Sequence, residues 1–400
     1  MSEPATTILN EPTFCILNAG DPHDRATWIE RWEQSPMQLP YAHPDVAALM
    51  VGSEEQVLCA TLSDEGGTVL YAFIHRPLYE GASDIASPYG YGGALFWDAE
   101  DPEGLAARFW PLFDVWARSH GVVSEFVRSS LFPDVLDHPG KQRARNENFV
   151  RELETELDAV WSGSASKVRQ NVRKAMKSGL SVQVDRQGSL IEDFHRIYTN
   201  TMIRHNSSQW YRFPLALFAE LQAALGDRVL YVAVLEAGEV VSVDLTLLGR
   251  DTAYYFLGGT NLDHGASRPN DLVKATVMDW LALNGYRSYV LGGGVSPGDG
   301  LERYKRGFAP QGARTYCTTE RIHDPHAYDA LVAGHRYDAE VRGAQLSQDS
   351  DFFPHYRMPL TPASEGNAVH TSVPDNAASG SAAHVERRRP RPGSVGAGAG

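Results

Sequence analysis

Three stretches of this 400-residue chain carry side chains whose type and spacing could do chemistry. The first is a glycine loop, Gly292-Gly293-Gly294, followed by Gly300-Leu301-Glu302-Arg303-Tyr304-Lys305-Arg306-Gly307-Phe308. A lysine just past such a loop can stabilise the oxyanion of a tetrahedral intermediate or hold a terminal phosphate. Asp244, beside Val243 in VVSVDLTLL, is placed either to face a cleft as the base for an incoming ammonium or to be paired across a sheet. The second stretch, SGSASKVRQNVRKAMKSG, reads as a helix from a Ser164 cap to Gly179. At 100° per residue, Lys167, Arg169, Arg173, Lys174 and Lys177 share an arc of about 160°, beside an apolar arc of Ala165, Val168, Val172, Ala175 and Met176. No acid neutralises that face, which either is solvated or meets phosphates. The third stretch, SPYGYGG, offers Tyr89 and Tyr91 on a backbone that glycines let a ligand approach, or else is a bulged strand end.

Other chemistries are eliminated by particular residues. Gly294-Val295-Ser296-Pro297-Gly298 has the letters of a hydrolase nucleophile elbow. Such an elbow takes an oxyanion-hole N–H from the residue after the serine, and Pro297 has none. His195 and His205, ten residues apart, lie roughly 280° from each other on a helix and cannot share a metal. Cys15, Cys59 and Cys317 are odd in number, far apart and set among apolar residues, which predicts buried thiols. No metal is expected.

The elements that must position these residues follow from periodicity. A net charge of -14 argues against a general polyanion binder such as a DNA-binding protein, so any basic patch is local. No run of about 18 apolar residues or secretory leader is present, which predicts no membrane insertion and a cytoplasmic location. From Pro12 to about Leu131, short apolar runs alternate with helical ones in a mixed α/β pattern, with a hairpin turn at Asp64-Glu65-Gly66-Gly67. Phe132 to Asn148 reads as a polar connection, and FVRELETELD as a strand. The second half then repeats the grammar of the first, with a hairpin turn at Ala237-Gly238. SPYGYGG and YYFLGGT each precede a helix that closes on glycine, at Gly121 and Gly285. We infer two copies of one fold. The expected organisation is 1–148, 149–325, a helix at 326–342, and a largely disordered tail over 343–400.

Taken in order, SPYGYGG, Asp158 to Trp161 with KVRQNVRKAMKSG, YFLGGT, RPNDLVKATVMDWLALNG and GLERYKRGF resemble the Fem family of GNAT-like aminoacyl transferases and its bacterial relatives. The likeness covers most of residues 80 to 320. It implies tandem GNAT-like acyltransferase domains with mixed α/β sheets meeting at a cleft, and transfer of an acyl group onto an amine. It also implies no cofactor, with aminoacyl-tRNA as donor and a peptidoglycan precursor or small biosynthetic amine as acceptor. Lys305, by its match to the family pattern, and Asp244, by its place on its strand, are the catalytic candidates. Tyr89, Tyr91, Lys167, Arg169, Arg173, Tyr255, Thr260 and Tyr304 are the candidates for substrate binding. The long coiled-coil arm of several Fem enzymes is absent. Acyl-CoA is the alternative donor, but Ser267-Arg268-Pro269-Asn270-Asp271 stands where a pyrophosphate loop would be. Pro269 lacks an N–H there, and Asp271 places negative charge in the first turn. A further alternative is a non-catalytic binding module.

Overall fold

The computed structural model describes residues 13–79, 81–154, 156–207, 209–347 and 351–362. The first half contributes β1 (Thr13–Asn18), α1 (Pro22–Gln34), α2 (Pro44–Ala48), β2 (Gln56–Asp64), β3 (Gly67–Pro77), β4 (Ser83–Ala86), β5 (Leu95–Trp97), α3 (Pro102–Ser119), β6 (Val122–Arg128) and β7 (Lys141–Glu152). The second half contributes α4 (Leu157–Ser162), α5 (Ser166–Met176), β8 (Ser181–Asp185), α6 (Ile191–Arg204), α7 (Leu215–Leu225), β9 (Val229–Glu236), β10 (Glu239–Leu248), β11 (Thr252–Thr260), α8 (Pro269–Leu283), β12 (Ser288–Gly293), α9 (Gly300–Phe308), β13 (Ala313–Ile322) and α10 (Pro325–Val341).

The main sheet runs β1-β2-β3-β4-β6-β13-β7-β12-β11-β10-β9-β8, with β5 paired to β3. Read from its two ends inward, this is one pattern twice: β1-β2-β3-β4-β6 mirrors β8-β9-β10-β11-β12. Each half is antiparallel until a helical crossover makes one parallel pair, β4 with β6 through α3 and β11 with β12 through α8. The last strands are exchanged. β13, from the second half, pairs with β6, and β7, from the first, pairs with β12. β7 and β13 then pair with each other and join the halves into one sheet.

Local sequence explains the joints. Ala237 and Gly238 both have positive φ, as a tight hairpin between β9 and β10 requires. Pro102 and Pro269 begin their helices, where a missing N–H costs nothing. The apolar faces form separate clusters, one around Phe109 and Phe113 of α3 and one around Val273, Val277 and Leu281 of α8.

Two boundaries differ from expectation. The connection read over Phe132–Asn148 is strand from Lys141 onward, because its alternating polar residues pair with β13 across the junction. The basic helix is capped at Ala165 rather than Ser164, which is buried with its Oγ 3.5 Å from the Phe308 carbonyl. Beyond α10, Ala344–Leu346 pairs with Leu360–Pro362. Between them, Phe353 stacks on Tyr328, and Arg357 reaches the buried Asp84 at 2.6 Å. The remainder of the expected tail, 363–400, lies outside the described residues.

Candidate active site

β11 and β12 stay paired only from Thr252/Ser288 to Tyr254/Val290, then part. The parting is reinforced on the other side of β11, where the register against β10 slips between Leu245 and Thr246 and leaves Phe256 bulged. Into the mouth of this wedge the first half inserts SPYGYGG, the segment that leaves the sheet after β4. A cavity of about 210 Å³ results. Its wall includes Tyr89, Tyr91 and Arg128 from the first half, Asn146 and Asn148 from β7, and Tyr255, Phe256, Gly292, Gly293 and Lys305 from the second half. That is smaller than the ~300–1,000 Å³ of a site that encloses a drug-sized ligand, so it holds one end of a larger substrate.

Lys305 is positioned by α9. Asp299 caps that helix, accepting from the backbone N–H of Glu302 at 2.6 Å, Val295 at 2.7 Å and Ser296 at 3.0 Å. Glu302, Lys305 and Phe308 recur every three residues and form the buried face. The Lys305 Nζ donates to the Gly293 carbonyl at 2.7 Å. Tyr91 donates to Asn148 Oδ1 at 2.7 Å. All three polar groups surround Gly292, whose φ of 75° is left-handed. A Cβ there would stand 3.2 Å from Lys305 Nζ and 3.7 Å from both Asn148 Oδ1 and the Tyr91 hydroxyl. Glycine is needed here for backbone conformation and for space.

Burial pushes the Lys305 amine down to about 7, helped by the nearby positive charge of Lys274 and opposed by Asp299 and Asp244. Near neutrality a large share of the amine is therefore unprotonated and can accept a proton. Asp244 does not line the cavity. It is ion-paired with Lys274 at 2.6 Å, with both side chains buried. Loss of hydration pushes the Asp244 carboxyl up and the Lys274 ammonium down, while their mutual attraction resists both. Asp244 is thus paired, but with a lysine on helix α8 rather than with a partner across the sheet.

The sequence candidates fall into three places. Tyr89, Tyr91, Tyr255 and Lys305 share the cavity. Tyr304 and Thr260 face elsewhere. The Tyr304 hydroxyl donates to the Asn270 carbonyl at 2.8 Å, bracing the start of α8, and Thr260 Oγ1 lies 2.7 Å from Ser242 Oγ. On α5, Lys167 and Arg173 are exposed. Arg169 turns inward, donating to the carbonyls of Ser162 at 2.9 Å and Ser164 at 2.7 Å. The α8 start keeps Asp271 buried beside Asn171, and loss of hydration raises its carboxyl. Ser296 sits in an exposed turn. Among the described residues, no group of His, Cys, Asp and Glu is arranged to hold a metal.

Sequence reasoning missed Lys274, Arg128, Asn146 and Asn148. One signal was available for Lys274. The chain has 36 Lys plus Arg, of which only Lys141, Lys167, Lys174, Lys177, Lys274 and Lys305 are lysine. A lysine within the apolar α8 pattern was therefore unusual on composition alone. The asparagines carried no such signal, because Asn146 and Asn148 become neighbours of Lys305 only through the exchange of β7.

The exchanged strands, two parallel pairs with helical crossovers and splayed β11/β12 wedge define a tandem GNAT-like fold. Residues 164–306 match the family described as the acetyltransferase (GNAT) domain. Among solved structures, a crystal structure of FemX is similar at a TM-score of 0.59 and 13% identity, over 76% of this chain and 98% of that one. A tandem GNAT protein from the clavulanic acid biosynthesis pathway, solved without AcCoA, gives a TM-score of 0.43 at 12% identity, over 79% of this chain and 99% of that one. No curated protein sequence matches. No helix among the described residues is long and apolar enough to cross a membrane.

Proposed function

We propose that this chain forms an amide bond by moving an aminoacyl group from the ester of an aminoacyl-tRNA onto an amine of a peptidoglycan precursor or a biosynthetic small molecule. The observation that carries this reading is Lys305, a buried amine near half-protonation on the wall of a cavity built by both halves. An acceptor arrives as an ammonium and must lose a proton before it can attack. Lys305 takes that proton, a step in which a positioned base is worth about 10²–10⁴ in rate. The acceptor nitrogen then bonds to the ester carbonyl carbon. Lys305 releases this first proton to solvent, then takes the second proton from the nitrogen of the tetrahedral intermediate and passes it to the ribose oxygen as the C–O bond breaks, leaving a neutral amide and a ribose hydroxyl. The ester is already activated, so alignment and charge stabilisation suffice without a covalent enzyme intermediate or a cofactor.

Two features favour tRNA as the donor. Pro269 and the buried Asp271 occupy the helix start where a CoA pyrophosphate would need N–H groups and positive potential. Lys167, Arg173 and Lys174 stand exposed on α5, with Lys177 exposed at its C-terminal cap, and α5 packs against α8. FemX, whose fold this chain shares, is a Fem-family aminoacyltransferase. The GNAT family match favours acyl-CoA as a second reading of the same site. The deciding assay supplies tRNA, synthetases, labelled amino acids and a panel of amine acceptors. Transfer that disappears after RNase treatment supports the first reading. RNase-resistant transfer from acyl-CoA replaces it with the second, and no transfer from either donor rejects both.

A further inference from the structure

Two of the six lysines in the chain are buried at one place. Lys274, on α8, puts its Nζ 3.5 Å from the centre of the Tyr255 ring, and Lys305, on α9, puts its own 5.3 Å from that same centre. Lys274 is also 2.6 Å from Asp244 Oδ2, 3.4 Å from the Tyr289 hydroxyl and 5.6 Å from the Tyr289 ring. All of these partners lie behind the cavity rather than on its wall, apart from Tyr255 itself.

A buried ion pair adds little net stability, since removing two charges from water costs roughly what their attraction returns. An apolar pair would serve packing at least as well. Lysine is also a rare choice here. By subtraction from 36, 30 of the Lys plus Arg are arginine, which never loses its proton, whereas a buried lysine can. The two sites that use lysine in the interior are thus the two that touch one ring.

We propose that Lys274 is a positioning residue for Lys305: held in a buried pair with Asp244, it lies against the same Tyr255 ring that Lys305 meets, and its charge keeps the cavity lysine ready to accept a proton. This rests on the proposed role of Lys305 as base. The other charged and titratable groups around Lys305 do not supply this function. Asp244 and Asp299 act in the opposite direction, holding the proton on. Glu302 is engaged by the Gly298 N–H at 2.6 Å and by Arg306 at 2.6 Å, and Arg306 also meets Glu147 at 2.8 Å. Tyr91, Tyr255 and Tyr304 are buried phenols pushed upward by loss of hydration, hence neutral across the relevant range. Arg128 shares the cavity wall, but Lys274 is the cation held against the same ring as Lys305. Its electrostatic influence on Lys305 exceeds that of Asp244, so the pair as a whole repels a second proton.

The test follows the Lys305 amine itself. Biosynthetic incorporation of lysine labelled with ¹³C at Cε marks all six lysines, buried ones included, and Lys305→Met identifies the signal. In the unaltered protein that signal titrates near pH 7, far below an exposed lysine. Lys274→Met raises its midpoint by about one pH unit or more, as loss of a nearby like charge does. Lys274→Arg, which keeps the charge, holds the midpoint low. Should Lys274→Met fold poorly with Asp244 left alone, Asp244→Asn with Lys274→Met removes both charges and still raises the midpoint. A Lys305 signal that titrates as an ordinary lysine, or that Lys274→Met leaves unmoved, overturns the proposal. No substrate is needed, so failure of the transfer assay and failure of this titration are separate results.

Discussion

Tyr91, from the first half, donates its hydroxyl to Asn148 at 2.7 Å, and Asn148 belongs to the strand that completes the sheet of the second half. This bond is short in space and crosses the whole architecture. It ties the segment that leaves the first sheet to the strand that borders the Lys305 cavity. Tyr91→Phe removes one buried hydrogen bond, worth on the order of 1 kcal/mol in stability. The loss of acyl transfer is expected to exceed that of thermal stability, because Asn148 is left free to turn away from Gly292. Transfer rate and melting temperature measured on the same preparation check this.

Lys305→Met separates activity from stability. Acyl transfer is expected to fall by about 10²–10⁴ if the lysine is the base. The fold should gain stability at pH 7. The lysine is held at about 7 in the folded chain against an ordinary 10.5, so between those values the unfolded chain binds a proton that the folded one has released. Stability contributed by this group therefore rises with pH across that window, and at lower pH the buried ammonium costs on the order of a few kcal/mol. Denaturant midpoints at pH 7 and pH 9 should converge between the two proteins as pH rises.

The pH dependence of transfer carries the same signature. The rate should climb through about pH 7 as Lys305 loses its proton. A profile flat between pH 6 and 8, measured with saturating donor and acceptor, would deny it the role of base.

Gly292→Ala places a methyl 3.2 Å from Lys305 Nζ at a backbone φ of 75°. A strained left-handed residue costs of order 1–3 kcal/mol, and the displaced amine loses its carbonyl partner at Gly293. We expect near-complete loss of transfer with a folded, less stable protein, read by circular dichroism alongside the assay.

The exposed cations of α5 test the donor. Lys174→Glu with Lys177→Glu should weaken tRNA-dependent transfer and flatten its salt dependence, since each phosphate contact contributes to that slope. If transfer and its salt slope are unchanged, this face does not bind the donor.

Asp84 tests the closing segment. It accepts from Arg76 at 2.7 Å, Arg357 at 2.6 Å and Tyr356 at 3.0 Å. Arg357→Met breaks a buried pair and should cost about 3 kcal/mol in chemical denaturation. The Asp84 carboxyl lies below its ordinary value because the two arginines outweigh its burial. Its stabilising contribution is thus lost as pH falls through that depressed value, so the stability difference between Arg357→Met and the unaltered protein should narrow on acidification.

Local pattern decided a good deal by itself. Period-two and helical spacing, turn residues such as Ala237-Gly238 and the prolines at helix starts are short-range physics, and they gave the repeated halves and most elements. The lysine after the glycine loop and the tyrosines of SPYGYGG were legible as chemistry because of their neighbours in the chain. Other features depended on long-range pairing that local periodicity does not encode. The exchange of β7 and β13 turned a stretch read as a connection into the junction of the sheet, and carried Asn146 and Asn148 to the cavity. The partner of Asp244 lay on another element, so an alternating strand pattern could place the carboxylate but not its counterion. Whether Lys305 holds its proton depends on burial and on the charges of Lys274, Asp299 and Asp244, which only the fold brings around it.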